Sequence, residues 1–478
     1  MSRINRSEQL SLMRSGEPFD FLIVGGGATG LGAAVDAAHR GYRVALVEKY
    51  DFAKGTSSRS TKLVHGGVRY LKQGNVALVR SALEERGLLR QNAPHLVRDQ
   101  KFIIPVYSTF GQLFYGVGLK VYDLLSGSLS FGKPLLLSRD ETFKHLPTLA
   151  PRGIKGGVLY HDGQFDDARL AVNLMQTAIR HGAVIANYCE CVRLLADSTG
   201  RITGARIRNT VEEETFEVRA RVVINATGVF VDELRRQEDG QANTMVAVSQ
   251  GIHLVLPRHF LPGENALMVP KTEDGRVLFA VPWHDVVVLG TTDTPVPNAE
   301  IEPKALPEEY DFVMSHAAKY LAKAPTDSDI LSVFAGLRPL VRSDKTRSTA
   351  ALSRDHTILV SKGGLLYHFP TKEALIQAAL ADFLDRFDSD TDAEATRNTS
   401  LNNRWAQAYL IKTFEISKDD LEMSFGILAA AANHPDLLEP MRERYLLWQS
   451  RMASECKDPV EATVARLAAD GLFFCELF

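Results

Sequence analysis

Phe19-Asp-Phe-Leu-Ile-Val-Gly-Gly-Gly-Ala-Thr-Gly30 decides how the first part of this chain folds. Phe19 to Val24 has the composition of a strand buried on both faces in a parallel sheet. Gly25, Gly27 and Gly30 then set the G-x-G-x-x-G spacing. Ala33 to His39 has helical composition, and Tyr42-Arg-Val-Ala-Leu-Val47 reads as a second strand. The unit is βαβ. Gly25 permits the tight turn, Gly27 lets the backbone approach a pyrophosphate, and Gly30 lets helix and strand pack closely. The helix N-terminus offers N–H groups and the positive end of its dipole to that anion. Glu48 ends the second strand, 23 residues after Gly25 (48 − 25). Its carboxylate is placed for the ribose hydroxyls of an adenosine and disfavours a 2′-phosphate. The pattern predicts a dinucleotide and leaves NAD and FAD both open.

Bulk properties frame this start. The 478 residues are enough for two to four domains with sizeable cores. At 45% hydrophobic and 24% charged, the chain reads as soluble and globular. Its net charge of −3 gives no general reason to bind nucleic acid. Cys189, Cys191, Cys456 and Cys475 form no disulfide framework, which fits a reducing cytoplasm. With no further Cys or His cluster beside Cys189 and Cys191, no metal site is expected. Met1 to Glu8 lacks the apolar core of a signal peptide, and no apolar run reaches the length of a membrane span. Phe114-Tyr-Gly-Val-Gly-Leu-Lys-Val-Tyr-Asp-Leu-Leu125 is apolar and glycine-bearing. Core packing is the expectation for this helix, with a membrane surface as the alternative.

Gly55-Thr-Ser-Ser-Arg-Ser-Thr-Lys-Leu-Val-His-Gly-Gly-Val-Arg-Tyr-Leu71 packs hydroxyls, cations and glycines just after the acid. With it, the sequence from about Phe19 to Val360 resembles the FAD-dependent glycerol-3-phosphate dehydrogenases and oxidases. The glycine motif continuing through Asp36 to Arg40-Gly41 is similar to their first signature, although Leu31 is bulkier than the residue usual there. Tyr160 to Leu170, Arg221-Val-Val-Ile-Asn-Ala-Thr-Gly228, Leu289 to Thr294, Phe334-Ala-Gly-Leu-Arg-Pro-Leu340 and Ser353-Arg-Asp-His356 resemble later blocks in the same order.

The resemblance implies FAD as cofactor and glycerol 3-phosphate as substrate, with quinone or oxygen as electron acceptor. It implies that Arg338 holds the C2 oxygen beside the flavin and that Arg354 is its partner on the substrate. It also implies phosphate-end contacts from Arg69 and Tyr70. His65 and His253 are both candidate proton acceptors. Thr56, Ser57, Ser58, Ala226, Thr227, Gly228 and Gly336 join Gly25, Gly27, Gly30 and Glu48 as candidate cofactor contacts. An arginine fork suits oxyanion and phosphate alike.

Beyond Val360 the character changes. The resemblance implies a glycine-glycine-lysine motif there, supporting the flavin with a helix N-terminus. The chain has Ser361-Lys-Gly-Gly-Leu-Leu-Tyr-His-Phe-Pro-Thr-Lys-Glu-Ala-Leu375 instead. This resembles the recognition helix and following helix of TetR-family regulators, with Thr371 as N-cap. The two helices that should precede it are missing, so DNA binding is not expected. Asp388 to Ser400 reads as a polar break between helices. Met423 to Pro435 and Glu461 to Phe474 resemble that family's sensing and dimerising helices, and a homodimer through them is a further expectation.

The expected fold class is α/β: a Rossmann-type two-domain flavoprotein with a substrate-binding sheet domain, then an all-α segment. Residues 1–18 form an extension. Segments of about 19–110, 155–250 and 330–360 serve FAD, about 111–154 and 250–330 form the substrate cap, and 361–478 form the TetR-like helices. A cytoplasmic location is expected, with peripheral contact at the inner membrane face.

Overall fold

The structure is a computed structural model. It describes residues 4–68, 71, 76–269, 272, 277–342, 358, 372–397, 403–415, 435–456 and 458–476. The chain divides into two compact units, Met1–Leu359 and Val360–Phe478.

The described strands of the first unit, in chain order, are β1 (Phe19–Val24), β2 (Val44–Val47), β3 (Leu63–Val64), β4 (Val97–Val106), β5 (Leu135–Ser138), β6 (Gly156–Phe165), β7 (Val184–Ala186) and β8 (Cys189–Ala196). They continue with β9 (Ile202–Asn209), β10 (Glu214–Asn225), β11 (Val246–Pro257), β12 (Ala266–Val269), β13 (Leu278–Trp283), β14 (Val286–Gly290), β15 (Thr294–Val296) and β16 (Ser332–Val341). One sheet has the order β7-β2-β1-β10-β9-β8. Its first four strands are parallel, and β10 turns antiparallel where it meets β9. Apart from Asp20 near its start, β1 is apolar because both faces are covered. Ile23 and Leu46 pack under the helices Ala28–His39 and Asp167–Arg180. Leu22, Val24, Ala45 and Val47 point to the opposite core, as period-two alternation requires. Residues 1–18 do more than extend the chain. Their helix, Arg6–Met13, buries Leu10 and Met13 in that second core. The Arg6 guanidinium donates to the Asn187 carbonyl and, at 2.8 Å, to Asn209 Oδ1.

The larger sheet runs β15-β11-β14-β13-β12-β4-β6-β3, with β16 on β11 and β5 on β6. It therefore recruits β3, β4, β6 and β16 from segments expected on the FAD side. Strand pairing explains this: β4 pairs with β6 over ten residues from Val97 to Val106. β16 pairs with β11 from Ser332 to Val341.

The second unit is helical: Lys372–Arg397, Arg404–Phe414, Glu439–Glu455 and Pro459–Glu476 among the described residues. Leu380, Leu384, Trp405, Tyr409, Trp448 and Met452 form its core. The stretch expected as a break, Asp388 to Ser400, is helical as far as Arg397, and residues 398–400 lie outside the described residues. Its polar side chains find partners that hold the helix to the bundle. Asp388 accepts from Trp448 Nε1 at 2.5 Å and pairs with Arg444. Asp392 accepts from Trp405 Nε1 at 2.8 Å. Thr391 and Thr396 turn their hydroxyls onto carbonyls four residues back. Ser361 to Thr371 and Met423 to His434 lie outside the described residues.

Candidate active site

A cleft of about 380 Å³ opens at the carboxyl ends of β1, β2 and β10. Ligands of parallel α/β sheets sit at this end, where the loops diverge. Gly25, Gly27, Ala28, Glu48, Thr56, Ser57, Ala226, Thr227 and Gly228 all line it, with Lys49 and Pro339.

The glycines are required by geometry. Gly25 has φ +116°, and a Cβ there would lie 2.4 Å from the Ala226 carbonyl oxygen. A Cβ on Gly30 would lie 2.0 Å from the Gly25 carbonyl oxygen. Gly27 is the helix N-cap and supplies no side chain to the helix end. The Ala28 N–H donates to Ser57 Oγ at 2.9 Å, which ties the hydroxyl-rich segment to the helix terminus.

Glu48 is held by two backbone N–H groups. Its Oε2 accepts the Gly26 N–H at 2.6 Å and its Oε1 the Tyr50 N–H at 2.8 Å. The carboxylate thus staples the end of β2 to the glycine turn. Each oxygen retains a further lone pair for a ligand.

Three of the candidate cofactor contacts do not line the cleft: Gly30, Ser58 and Gly336. The Ser58 carbonyl accepts from Lys62 Nζ at 2.7 Å. At Gly336 a Cβ would meet the Arg59 carbonyl oxygen at 2.8 Å, so this glycine admits a neighbouring backbone. The same seam is closed by Thr56 Oγ1, which donates to the Leu337 carbonyl at 2.6 Å.

One residue along β16 from Pro339, Arg338 turns into a polar cluster. Its guanidinium donates to the Thr292 carbonyl at 3.0 Å and to Thr291 Oγ1 at 3.1 Å, and lies 3.5 Å from Asp293. Ser249 donates its hydroxyl to Asp293. Gly251 leaves the space that Arg338 fills, since a Cβ there would fall 2.3 Å from Nη2. Buried Glu309 supports the loop from behind, accepting from Thr292 Oγ1 at 2.8 Å and Gln250 Nε2 at 2.7 Å.

His253 faces the same cluster. It is 2% exposed, stacks on Phe334 at 4.7 Å, and shares a 2.8 Å hydrogen bond from Nε2 with Thr61 Oγ1. Its Nδ1 is buried and has no hydrogen-bond partner among the described residues. Burial first, then the charges of Arg338 and Lys62, push its pKa down to about 3. The imidazole is therefore neutral at physiological pH. Its native pKa lies below the ordinary 6.5, so the unfolded chain binds the extra proton between these values. Stability from this group is full above pH 6.5 and is lost as pH falls toward 3. The slope is about 1.4 kcal/mol per pH unit. His253→Gln will flatten the acid limb of a urea-unfolding series taken through that window. Parallel loss in both proteins would show that the imidazole is not held neutral.

His65 lies apart from this burial, exposed just beyond β3. Arg69, Tyr70 and Arg354 lie outside the described residues. Thr61, Thr291 and Asp293 were not foreseen individually. Each falls inside a quoted block, but nothing in the sequence separates Thr61 from the other hydroxyls around it.

Residues 20–377 match the family model described as FAD dependent oxidoreductase. The chain belongs to the FAD-dependent oxidoreductases. This FAD-dependent oxidoreductase is 40% identical over 378 residues to the mitochondrial glycerol-3-phosphate dehydrogenase of Macaca fascicularis, a match over 76% of this chain and 52% of that one. It is 41% identical over 377 residues to the corresponding enzyme of Arabidopsis thaliana, over 76% of this chain and 60% of that one. It thus spans about half the length of the animal relative. The crystal structure of glycerol-3-phosphate dehydrogenase from Bacillus halodurans complexed with FAD matches with a TM-score of 0.60 at 25% identity, covering 98% of this chain and 97% of that one. Residues 403–478 match a second model, the tetracyclin repressor-like C-terminal domain.

The cofactor of this FAD-dependent oxidoreductase is FAD, and the cleft suits it. Gly27 and the N-terminus of the helix Ala28–His39 line the cleft and would hold a pyrophosphate, and Glu48 at the end of β2 would hold the adenosine ribose.

Proposed function

We propose that the chain oxidises sn-glycerol 3-phosphate to dihydroxyacetone phosphate, with Arg338 and His253 as catalytic residues. The observation that carries this reading is that Arg338, one residue along β16 from the cleft wall at Pro339, lies near enough to His253 on the paired strand β11 for its charge to lower the imidazole pKa. The 40% identity to glycerol-3-phosphate dehydrogenase supports the substrate. Bound FAD supplies a two-electron acceptor for the hydride leaving C2. Arg338 holds the C2 oxygen as its proton departs, its two nitrogens already aimed by Thr291 and Thr292. Neutral His253 receives the proton. An anionic substrate offsets the field of Arg338 and Lys62, and so raises the proton affinity of the imidazole. His65 is the alternative acceptor. Arg354, Arg69 and Tyr70 are assigned to the phosphate end.

Electrons pass on to quinone or oxygen. The second unit serves as a dimerisation element, a reading supported by exposed Val460, Val464 and Leu467 at helical spacing on one helix and by Leu446 and Leu447 on another. No described helix is long and apolar enough to cross a membrane. Contact with the inner membrane face is accordingly peripheral in this reading.

A second reading has its own support. The sequence turns to a regulator-like character just where the flavin-supporting motif is due, and residues 403–478 match a repressor-like domain. On this reading the chain is a fusion that keeps FAD without turnover. Purified protein should be yellow and should reduce a dye with glycerol 3-phosphate. Yellow protein without dye reduction would favour the fusion, and colourless protein would overturn both. A gel shift with operator-like DNA at physiological salt would be needed to revive a regulator.

A further inference from the structure

We propose that Thr61 sets the tautomer of His253, so that the imidazole carries its proton on Nε2 and offers its lone pair at Nδ1. Burial and the neighbouring cations Arg338 and Lys62 keep this ring neutral. A neutral imidazole has one N–H and one basic nitrogen, and the partners decide which is which. Nε2 lies 2.8 Å from Thr61 Oγ1. Nδ1 is buried without a hydrogen-bond partner among the described residues. Either tautomer leaves Nδ1 unpaired. A bare lone pair is the lesser penalty, for buried N–H groups without acceptors are rarer than acceptors without donors. Thr61 loses nothing when its oxygen accepts from Nε2, because a half-buried hydroxyl keeps its own proton for water.

Thr61 is gripped from both sides. Asp167, 5% exposed at the start of the helix Asp167–Arg180, accepts through Oδ2 from Ser60 Oγ at 2.6 Å and from the Ser60 N–H at 3.2 Å. Its Oδ1 accepts from Lys62 Nζ at 2.7 Å. One carboxylate thus holds the residue before Thr61 and the residue after it. Lys62 is left-handed at φ +62°, a conformation that non-glycine residues adopt reluctantly. Its N–H donates to Ser60 Oγ at 3.0 Å, and its carbonyl accepts from the Phe165 N–H at 3.0 Å. These bonds keep the turn closed and fix where Oγ1 stands.

The ring is confined as well. Phe334 stacks on it at 4.7 Å from β16. Gly290 on β14 approaches so closely that a Cβ there would fall 2.4 Å from Cδ2. The Thr61 hydroxyl therefore meets an imidazole that has little room to turn away.

The catalytic consequence rests on the reading of His253 as proton acceptor. The C2 hydroxyl gives its proton to Nδ1, and its oxygen keeps the bonding pair as the C2 hydride passes to FAD. The Nε2–H stays on Thr61 throughout, so the imidazolium that forms is held by a hydrogen bond already in place. Thr61 acts through His253 and is a positioning residue.

The test reads the tautomer without turnover. Heteronuclear NMR is recorded at neutral pH on FAD-loaded protein labelled at the histidine nitrogens, the His253 signals being those missing from His253→Gln. In wild type Nε2, the nitrogen coupled to both ring carbon protons, should be protonated and Nδ1 bare. Thr61→Ser should match it and keep kcat within about threefold. Thr61→Val keeps the shape and loses the hydroxyl. Both nitrogens should then move toward the average of the two tautomers. The valine variant should lose kcat by about 10–100-fold, with KM and flavin content near wild type. The inference is overturned if wild type carries its proton on Nδ1, or if Thr61→Val leaves the nitrogens unchanged. Altered nitrogens with kcat intact would overturn the positioning role. Wild-type turnover in His253→Gln would instead overturn the acceptor role, while the nitrogen spectrum still decides the tautomer.

Discussion

Gly30→Ala should yield protein that does not retain FAD through gel filtration. The added methyl would sit 2.0 Å from the Gly25 carbonyl oxygen. Both groups are backbone, so no side-chain rotation relieves the contact. Gly25 cannot retreat either, for its own Cα already faces the Ala226 carbonyl at a separation that excludes a Cβ. The helix must lift off β1, and the cleft loses the N-terminus that faces the pyrophosphate. Overpacking of this kind costs about 3 kcal/mol, enough for more than a hundredfold in cofactor affinity. Gly32→Ala is the matched control. It lies in the same helix with nothing within 4 Å of its Cβ position, and alanine there should stabilise the helix by roughly 1 kcal/mol. The measurement is visible flavin absorbance relative to protein absorbance, beside a thermal melt. Equal flavin content in the two variants would mean that the glycine turn does not hold the cofactor.

The contrast between Gly30 and Gly32 shows what was legible in the sequence. Spacing alone picked out Gly25, Gly27, Gly30 and Glu48, because a βαβ turn imposes its needs over a short stretch of chain. The cleft collects Gly25, Gly27 and Glu48, with Ala226 to Gly228 from a distant block, while Gly30 sits behind it against the Gly25 carbonyl. Long-range packing was less readable. Gly336 reads as a cofactor contact, yet its space is taken by Arg59, nearly 280 residues earlier in the chain. Thr61 gains its place only because β11 brings His253 to it. The polar run from Asp388 reads as a break, since a lone helix gains nothing from burying aspartates. In the bundle, two indole N–H groups need acceptors, and Asp388 and Asp392 supply them. The helix Thr109–Leu125 was ambiguous for a related reason. Periodicity marks both faces of that helix as apolar, and only the fold shows which face the core occupies.

Arg338→Lys should lower turnover with glycerol 3-phosphate by about 10²–10³-fold while flavin content stays at the wild-type level. The charge survives this substitution; the fork does not. Arg338 is pinned at two nitrogens, Nη1 on the Thr292 carbonyl and Nη2 on Thr291 Oγ1, with Asp293 beside it. A planar guanidinium can satisfy both anchors and still direct N–H groups at a developing oxyanion. An ammonium on a flexible stem donates from a single point and cannot reproduce the planar fork, and its charge falls where the stem allows. The loss should appear mainly in kcat, because the interaction strengthens as the C2 oxygen gains charge, with KM moving less. Arg338→Ala should be slower still and partly rescued by added guanidinium, whereas Arg338→Lys should gain nothing from it. The assignment fails if the lysine variant keeps kcat within about threefold of wild type, a change of well under 1 kcal/mol. A large rise in KM at unchanged kcat would instead place Arg338 in uniform substrate binding and return the oxyanion role to a residue outside the described cluster.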